Sequence, residues 1–89
     1  TSATIAIDKA FTAAAARKAT HEYGAGSQPG APAWGIFSAI GGRLMVVGGG
    51  LPVAHGGQVV GGIGVSSGSP AEDQAVAQAG IDHWLAAQG

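Results

Sequence analysis

Residues 48–73 decide the fold, and they run GGGLPVAHGGQVVGGIGVSSGSPAED. The glycine pair at 56–57 predicts a tight hairpin turn, because glycine enters positive φ without a Cβ clash. Apolar and β-branched residues on either side predict strands at 51–54 and 59–66. Glycines inside the second of these strands would let another backbone or a ligand approach closely. This stretch therefore predicts an antiparallel hairpin.

Helices are predicted on both sides of the hairpin. Ser69-Pro70-Ala71-Glu72 has the form of a capping box with proline at the first helical position, which begins a helix over 70–87. Acidic residues and glutamines, Asp73 among them, mark the expected solvent side of that helix. Residues 2–18 are rich in alanine and carry an apolar face at helical spacing, which predicts another helix.

The chain between the first helix and the hairpin is predicted as loop followed by a strand. Glycine and proline are frequent over 20–42, which indicates a loop with a short helical turn at 34–40. Residues 44–47 are predicted as a third strand, ending at the glycine run 48–50. The whole order predicts an α+β fold, with an antiparallel sheet flanked by helices. Such a small sheet is incomplete, so we expect a missing N-terminal piece or another chain to complete it.

Composition narrows the classes of protein to which this chain can belong. A length of 89 residues makes one small domain, 1–89. Four Lys+Arg against five Asp+Glu give a net charge of −1, which argues against nucleic-acid binding and a polybasic membrane anchor. The apolar stretches are too short for a membrane span. Charged residues make up only 10%, against roughly 25% on average, so we expect much of the surface to face other protein. The absence of cysteine leaves localisation open, cytoplasmic or secreted.

Two further motifs resemble those of one known family. Residues 5–14, IAIDKAFTAA, are similar to a helix motif IAIxKAxTAA. Residues 48–53 and 57–70, with the acidic pair at 72–73, are similar to a glycine-rich motif that runs into a capped helix. Both motifs belong to the GlcG/HbpS-like family, described as haem-degrading or haem-binding and as the C-terminal domain of PduO-type proteins. The hairpin departs from the family pattern, because His55-Gly56 replaces an apolar residue and an acid.

The resemblance implies a profilin-like, oligomeric α+β domain, and in some members a haem or corrinoid ligand. Members usually carry a further N-terminal segment with a helix and two strands, so this chain resembles the C-terminal portion of a longer precursor. The implied partners are a homo-oligomer, the chain's own N-terminal fragment, or both, together with a small-molecule ligand.

Candidate ligand-binding residues lie along the loop and the glycine run. Gly48, Gly49 and Gly50 could form a backbone N–H nest for a carboxylate or haem propionate. Alternatively, these glycines only interrupt the chain between two strands. His21, beside Thr20, is the best placed of three histidines for a haem axial ligand, and otherwise is a surface residue. Arg43 could pair with a propionate, or serve as a charge on an edge strand. The histidines form no cluster that predicts a metal site.

Candidate catalytic residues are the first residue of the chain and a lysine of the first predicted helix. Thr1 could be an autoprocessed N-terminal nucleophile whose free α-amine acts as its base, although proteolysis also explains the first residue. Lys9 could lower the pKa of that amine, or be an ordinary solvated lysine.

Three functions follow from these candidates. The first is a haem- or tetrapyrrole-binding module, the second an N-terminal-threonine hydrolase of a small amide or ester, and the third a structural assembly subunit. Whether the chain is an enzyme is left open.

Overall fold

The hairpin is the centre of the fold. The structure is a computed structural model that describes residues 2–28, 30, 32, 35 and 40–88. Its elements in chain order are helix α1 (Ser2–Ala16), helix α2 (Thr20–Ala25), a 3-10 turn (Ile40–Gly42), strand β1 (Gly50–His55), strand β2 (Gln58–Gly64) and helix α3 (Pro70–Gln88). The α+β class and the antiparallel sheet flanked by helices are confirmed.

The turn between β1 and β2 is the glycine turn that the sequence predicts. Gly56 and Gly57 have φ angles of 61° and 80°, and His55 pairs with Gln58 across them. The register shifts by one residue after Val53, which leaves a bulge near Val60.

The two helices that flank the hairpin pack on its opposite faces. A Cβ on Gly62 or Gly64 would collide with the backbone of Ala10 or Ala6, so α1 lies directly on the glycines of β2. On the other face, Leu51 packs with Ala77 and Ile81 of α3 in a small core that also contains Ala19. The prediction that glycines admit another backbone is confirmed, and that backbone belongs to α1.

The start of α3 has the capping box that its sequence predicts. The Glu72 N–H donates to Ser69 Oγ at 3.2 Å, and the Ser69 N–H donates to Glu72 Oε1 at 2.9 Å. Two orphan N–H groups of the first turn are thus satisfied reciprocally.

The predicted strand at 44–47 is wrong. Leu44 is buried and the Met45 N–H donates to Thr12 Oγ1 at 2.9 Å, so this segment bonds to a side chain of α1 instead of a strand. Within the described residues the sheet therefore has two strands, β1 and β2.

The predicted loop over 20–42 begins instead with helix α2. Gly24 lies inside α2 and is buried against the backbone of Val46, where a Cβ would collide. The predicted turn at 34–40 falls mostly on residues 34 and 36–39, which lie outside the described residues. The end of α1 was also overestimated, because the helix stops at Ala16 and Arg17 has a φ of 59°.

Candidate functional site

The glycine run Gly48–Gly50 is the place where three of the predicted site residues meet. A Cβ on Gly48 would lie 3.5 Å from the Cβ of His21, and one on Gly49 would lie 2.7 Å from Lys9 Nζ. One on Gly50 would lie 2.6 Å from the Thr20 methyl carbon. Gly49 also has a φ of 123°, which only glycine adopts without strain. Each glycine of the run therefore has one of these side chains beside it.

Lys9 is buried beneath Gly49. The sequence had allowed either a site residue or an ordinary solvated lysine at this position, and burial excludes the solvated lysine. Its Nζ donates to the Val65 carbonyl at 2.8 Å and to Asp73 Oδ2 at 3.3 Å. The two side chains of the ion pair are 4% and 5% exposed. Lys9 thus joins α1 to the end of β2 and to the start of α3, and its proposed catalytic role stays a prediction.

Asp73 is a residue that sequence reasoning missed. It was expected on the solvent side of α3, but it is buried. Its Oδ1 accepts the N–H groups of Ser67 and Gly68 at 3.2 and 2.9 Å. The available signal was its place in the first turn of α3, directly after a Ser-Ser-Gly loop whose N–H groups need acceptors.

Hydrogen bonds lower the pKa values of both acidic residues at the start of α3. The Gly68 N–H lowers the pKa of Asp73 below its ordinary value of 3.8, with smaller contributions from Ser67 and Lys9, and burial opposes them. The Ser69 N–H, followed by the Ser69 hydroxyl, lowers the pKa of Glu72 below 4.5. Both carboxyl groups are therefore ionised at neutral pH.

Thr20 is fully buried, and its hydroxyl bonds both the N–H and the carbonyl of Gly50. Its Oγ1 accepts the Gly50 N–H at 2.9 Å and donates to the Gly50 carbonyl at 3.4 Å. This arrangement fixes the first residue of α2 against the first residue of β1. The hydroxyl therefore serves the backbone, and direct contact of Thr20 with a ligand stays a prediction.

His21 is the solvent-facing member of the group. Its side chain is 46% exposed, and its Nε2 lies 4.0 Å from Glu22 Oε1. His21 is carried on α2, and its Cβ lies beside Gly48, which also has Pro70 of α3 next to it. It is thus an accessible nitrogen donor beside a glycine backbone.

Two backbone N–H groups belong to Gly48, whose virtual Cβ lies near the Cβ of His21, and to the next residue, Gly49. Among the described residues, no acceptor bonds the N–H of Gly48 or Gly49, whereas the Gly49 carbonyl accepts the Val65 N–H at 3.0 Å. Buried N–H groups normally have partners. Thr20 Oγ1 takes the third N–H of the run, that of Gly50, and the nest that the sequence predicts for an anionic group stays a prediction.

Arg43 makes its contacts on α1. Its Nε lies 3.2 Å from Asp8 Oδ1, and its guanidinium stacks on the Phe11 ring at 4.1 Å from the centroid. The side chain is still 47% exposed, so its role toward a ligand carboxylate stays a prediction.

Three other predicted features have these outcomes. Thr1 lies outside the described residues, so its nucleophilic role and autoprocessing stay predictions. The described histidines and acids include no group of three or more that could hold a metal ion. None of the described helices combines the length and apolar character that crossing a bilayer requires.

These features define a small α+β protein in which α1 packs on the glycines of β2. A lysine, a threonine and a histidine lie along its glycine run. The chain belongs to the HbpS-like family, described as haem degrading protein HbpS-like, whose model matches residues 1–82.

Curated relatives share about two fifths of the aligned residues. An uncharacterized 15.0 kDa protein of Citrobacter freundii is 40% identical over 82 residues, which cover 92% of this chain and 58% of the relative. The corrinoid adenosyltransferase PduO of Salmonella typhimurium is 40% identical over 80 residues, which cover 90% of this chain and 24% of that protein. The chain therefore spans only part of the length of these relatives.

Solved structures show the same fold. The crystal structure of Klebsiella pneumoniae protein ORFY is similar with a TM-score of 0.87 and 38% identity, over 89% of this chain and 55% of that one. The crystal structure of a PduOC:heme complex is similar with a TM-score of 0.84 and 40% identity, over 88% of this chain and 56% of that one.

Proposed function

We propose that this chain is part of a haem- or tetrapyrrole-binding module, with the imidazole of His21 as the axial ligand. The observation that carries the proposal is the difference in solvent exposure among the three side chains at the glycine run. Lys9 and Thr20 are buried and engaged within the fold, whereas His21 is open to solvent. The similarity to a protein solved as a heme complex supports haem as the ligand.

The chemistry of the donor set fits haem. Imidazole nitrogen is a common axial ligand, and haem supplies an iron that accepts it. In this proposal the N–H groups of Gly48 and Gly49 donate to a propionate of the haem. Lys9 and Thr20 hold the glycine run in position from below, so their role in this proposal is to position the site.

Hemin titration of the 89-residue chain tests the proposal. We expect a saturable, shifted Soret band in the parent protein and a changed band position or weaker binding in His21→Ala. His83→Ala is the matched control, because His83 is an exposed histidine of α3, and it should titrate like the parent.

Two results would contradict the proposal in different ways. An unsaturable, featureless response of the parent protein would overturn haem binding. Saturable binding with the same spectrum and the same affinity in the parent and His21→Ala would overturn His21 as the ligand.

A further inference from the structure

A groove that begins directly after the glycine run, at Leu51, lies between the α1–α2 connection, β1 and the second half of α3. Its volume is about 400 Å³. Its apolar lining includes Leu51, Pro52, Ile81 and Leu85, and Leu85 is 38% exposed. An aliphatic body lying there would remove its own surface and that of Leu85 from water, which favours binding.

The cations at one side of this groove lack acidic partners. The chain has four Lys+Arg in total, of which Lys9 pairs with Asp73 and Arg43 with Asp8. The other two, Arg17 and Lys18, both line the groove. In the part of the chain that the structure describes, no acid lies within 4.0 Å of either.

Glu22 also lines the groove, and its charge opposes that of the two cations. Its side chain is 61% exposed, and its Oε1 lies 4.0 Å from His21 Nε2. Two cations against one acid leave an excess of positive charge. The groove therefore combines an apolar floor with a net cationic side, which is complementary to an amphipathic anion.

The backbone of Arg17 supports a role for its side chain. Its φ of 59° is in the left-handed region, directly after the last residue of α1. Glycine is the usual residue at this position of a helix end, because a Cβ is strained there. Arginine stands at this position instead of glycine, and it lines the groove.

We propose that this groove binds an amphipathic carboxylate. The aliphatic body lies on Leu51, Ile81 and Leu85, and the carboxylate lies against Arg17 and Lys18. The groove adjoins the His21 site through Glu22, which lines it and lies 4.0 Å from His21 Nε2, but the proposal does not depend on haem binding at His21.

Decanoate is the probe that tests the proposal, with 1-decanol as its uncharged counterpart. Methyl resonances followed by NMR should shift saturably for Leu51, Ile81 and Leu85, and decanoate should bind more tightly than decanol. Loss of one exposed ion pair should weaken decanoate binding about three- to fivefold in Lys18→Gln.

Two variants control for strain and for net charge. Arg17→Gly removes the guanidinium and relieves the positive φ, so it should melt no lower than the parent protein and yet bind decanoate more weakly. Ala75→Glu changes the net charge by the same amount as Lys18→Gln, at an exposed position of α3 outside the groove. This control should bind decanoate like the parent.

Adding hemin to the decanoate complex distinguishes two sources of the carboxylate. Displacement of decanoate by hemin would assign the groove to a propionate-bearing tetrapyrrole, and unchanged binding would assign it to a free aliphatic acid. Equal affinity for decanoate and decanol would overturn the proposal. So would undiminished decanoate binding in both Arg17→Gly and Lys18→Gln, or shifts confined to other methyl groups.

Discussion

Lys9 of α1 and Asp73 of α3 form a buried ion pair, with 3.3 Å between Nζ and Oδ2. The same ammonium donates to the Val65 carbonyl, and the same carboxylate accepts two loop N–H groups. Both faces of the hairpin are thereby joined at its open end, directly beneath Gly49. The candidate site thus rests on an electrostatic contact between residues 64 positions apart.

Removing one partner of this pair should destabilise the protein strongly. We expect Lys9→Met to lower the free energy of unfolding by about 3 kcal/mol, because it leaves Asp73 buried without its cation. Urea unfolding followed by circular dichroism measures the change. Lys18→Met removes an exposed lysine and should have little effect, and a similar loss in both variants would contradict this account.

Stability should fall in acid through the two carboxyl groups at the start of α3. Folding lowers the pKa of Asp73 from 3.8 and that of Glu72 from 4.5. Each group therefore stabilises the fold fully above its unfolded-state pKa, and this contribution disappears as the pH falls through the lower folded-state value.

The urea midpoint measured from pH 6 to pH 2 tests this expectation. The midpoint should decline below about pH 4, and the decline should be shallower in Asp73→Asn. Parallel curves for the parent and the variant would show that Asp73 does not carry this pH dependence.

Alanine substitutions along β2 should separate the glycines that α1 covers from the one that it does not. Gly62→Ala and Gly64→Ala should each cost about 1–3 kcal/mol, because the new methyl group meets the backbone of α1. Gly61 has open space around its virtual Cβ, so Gly61→Ala should be neutral or stabilise the fold by up to about 1 kcal/mol. Thermal unfolding of the three variants makes the comparison, and equal losses would refute the packing of α1 on glycine.

The hydroxyl of Thr20 should contribute to stability without any ligand. Thr20→Val keeps the shape but leaves the N–H and the carbonyl of Gly50 without their partner, which should cost about 1–3 kcal/mol. Thr20→Ser keeps the hydroxyl and loses one methyl group, at a cost of about 1 kcal/mol. Chemical denaturation in the absence of hemin ranks the stabilities of the parent and the two variants. A valine variant as stable as the parent would contradict the structural role of the Thr20 hydroxyl.

Local signals account for what the sequence predicted correctly. The Gly56-Gly57 turn and the Ser69–Glu72 cap each depend on a few adjacent residues, so their chemistry is visible in the sequence. The glycines of β2 also predicted that another backbone or a ligand packs closely on this strand, although they did not identify α1 as that neighbour. The family motifs were equally visible, and the match over residues 1–82 confirms them.

Contacts between distant residues account for what the sequence missed. Residues 44–47 have strand-forming side chains, but Thr12 takes the N–H of Met45. Helix α2 was not predicted because Gly24 is unfavourable inside a helix. Its glycine is explained by close packing against the backbone of Val46, which is a tertiary contact. Asp73 was assigned to solvent because its partner Lys9 lies on another helix, and no local pattern connects them.

The packing of α1 on the glycines of β2 affects the conformational entropy lost on folding. Ala6 and Ala10 meet Gly62 and Gly64, and none of these residues has a side-chain rotamer to immobilise on folding. Along this contact α1 therefore packs on β2 without any loss of side-chain rotamer freedom. The ion pair of Lys9 then adds a polar contact to one that is held by close packing of backbone and methyl groups.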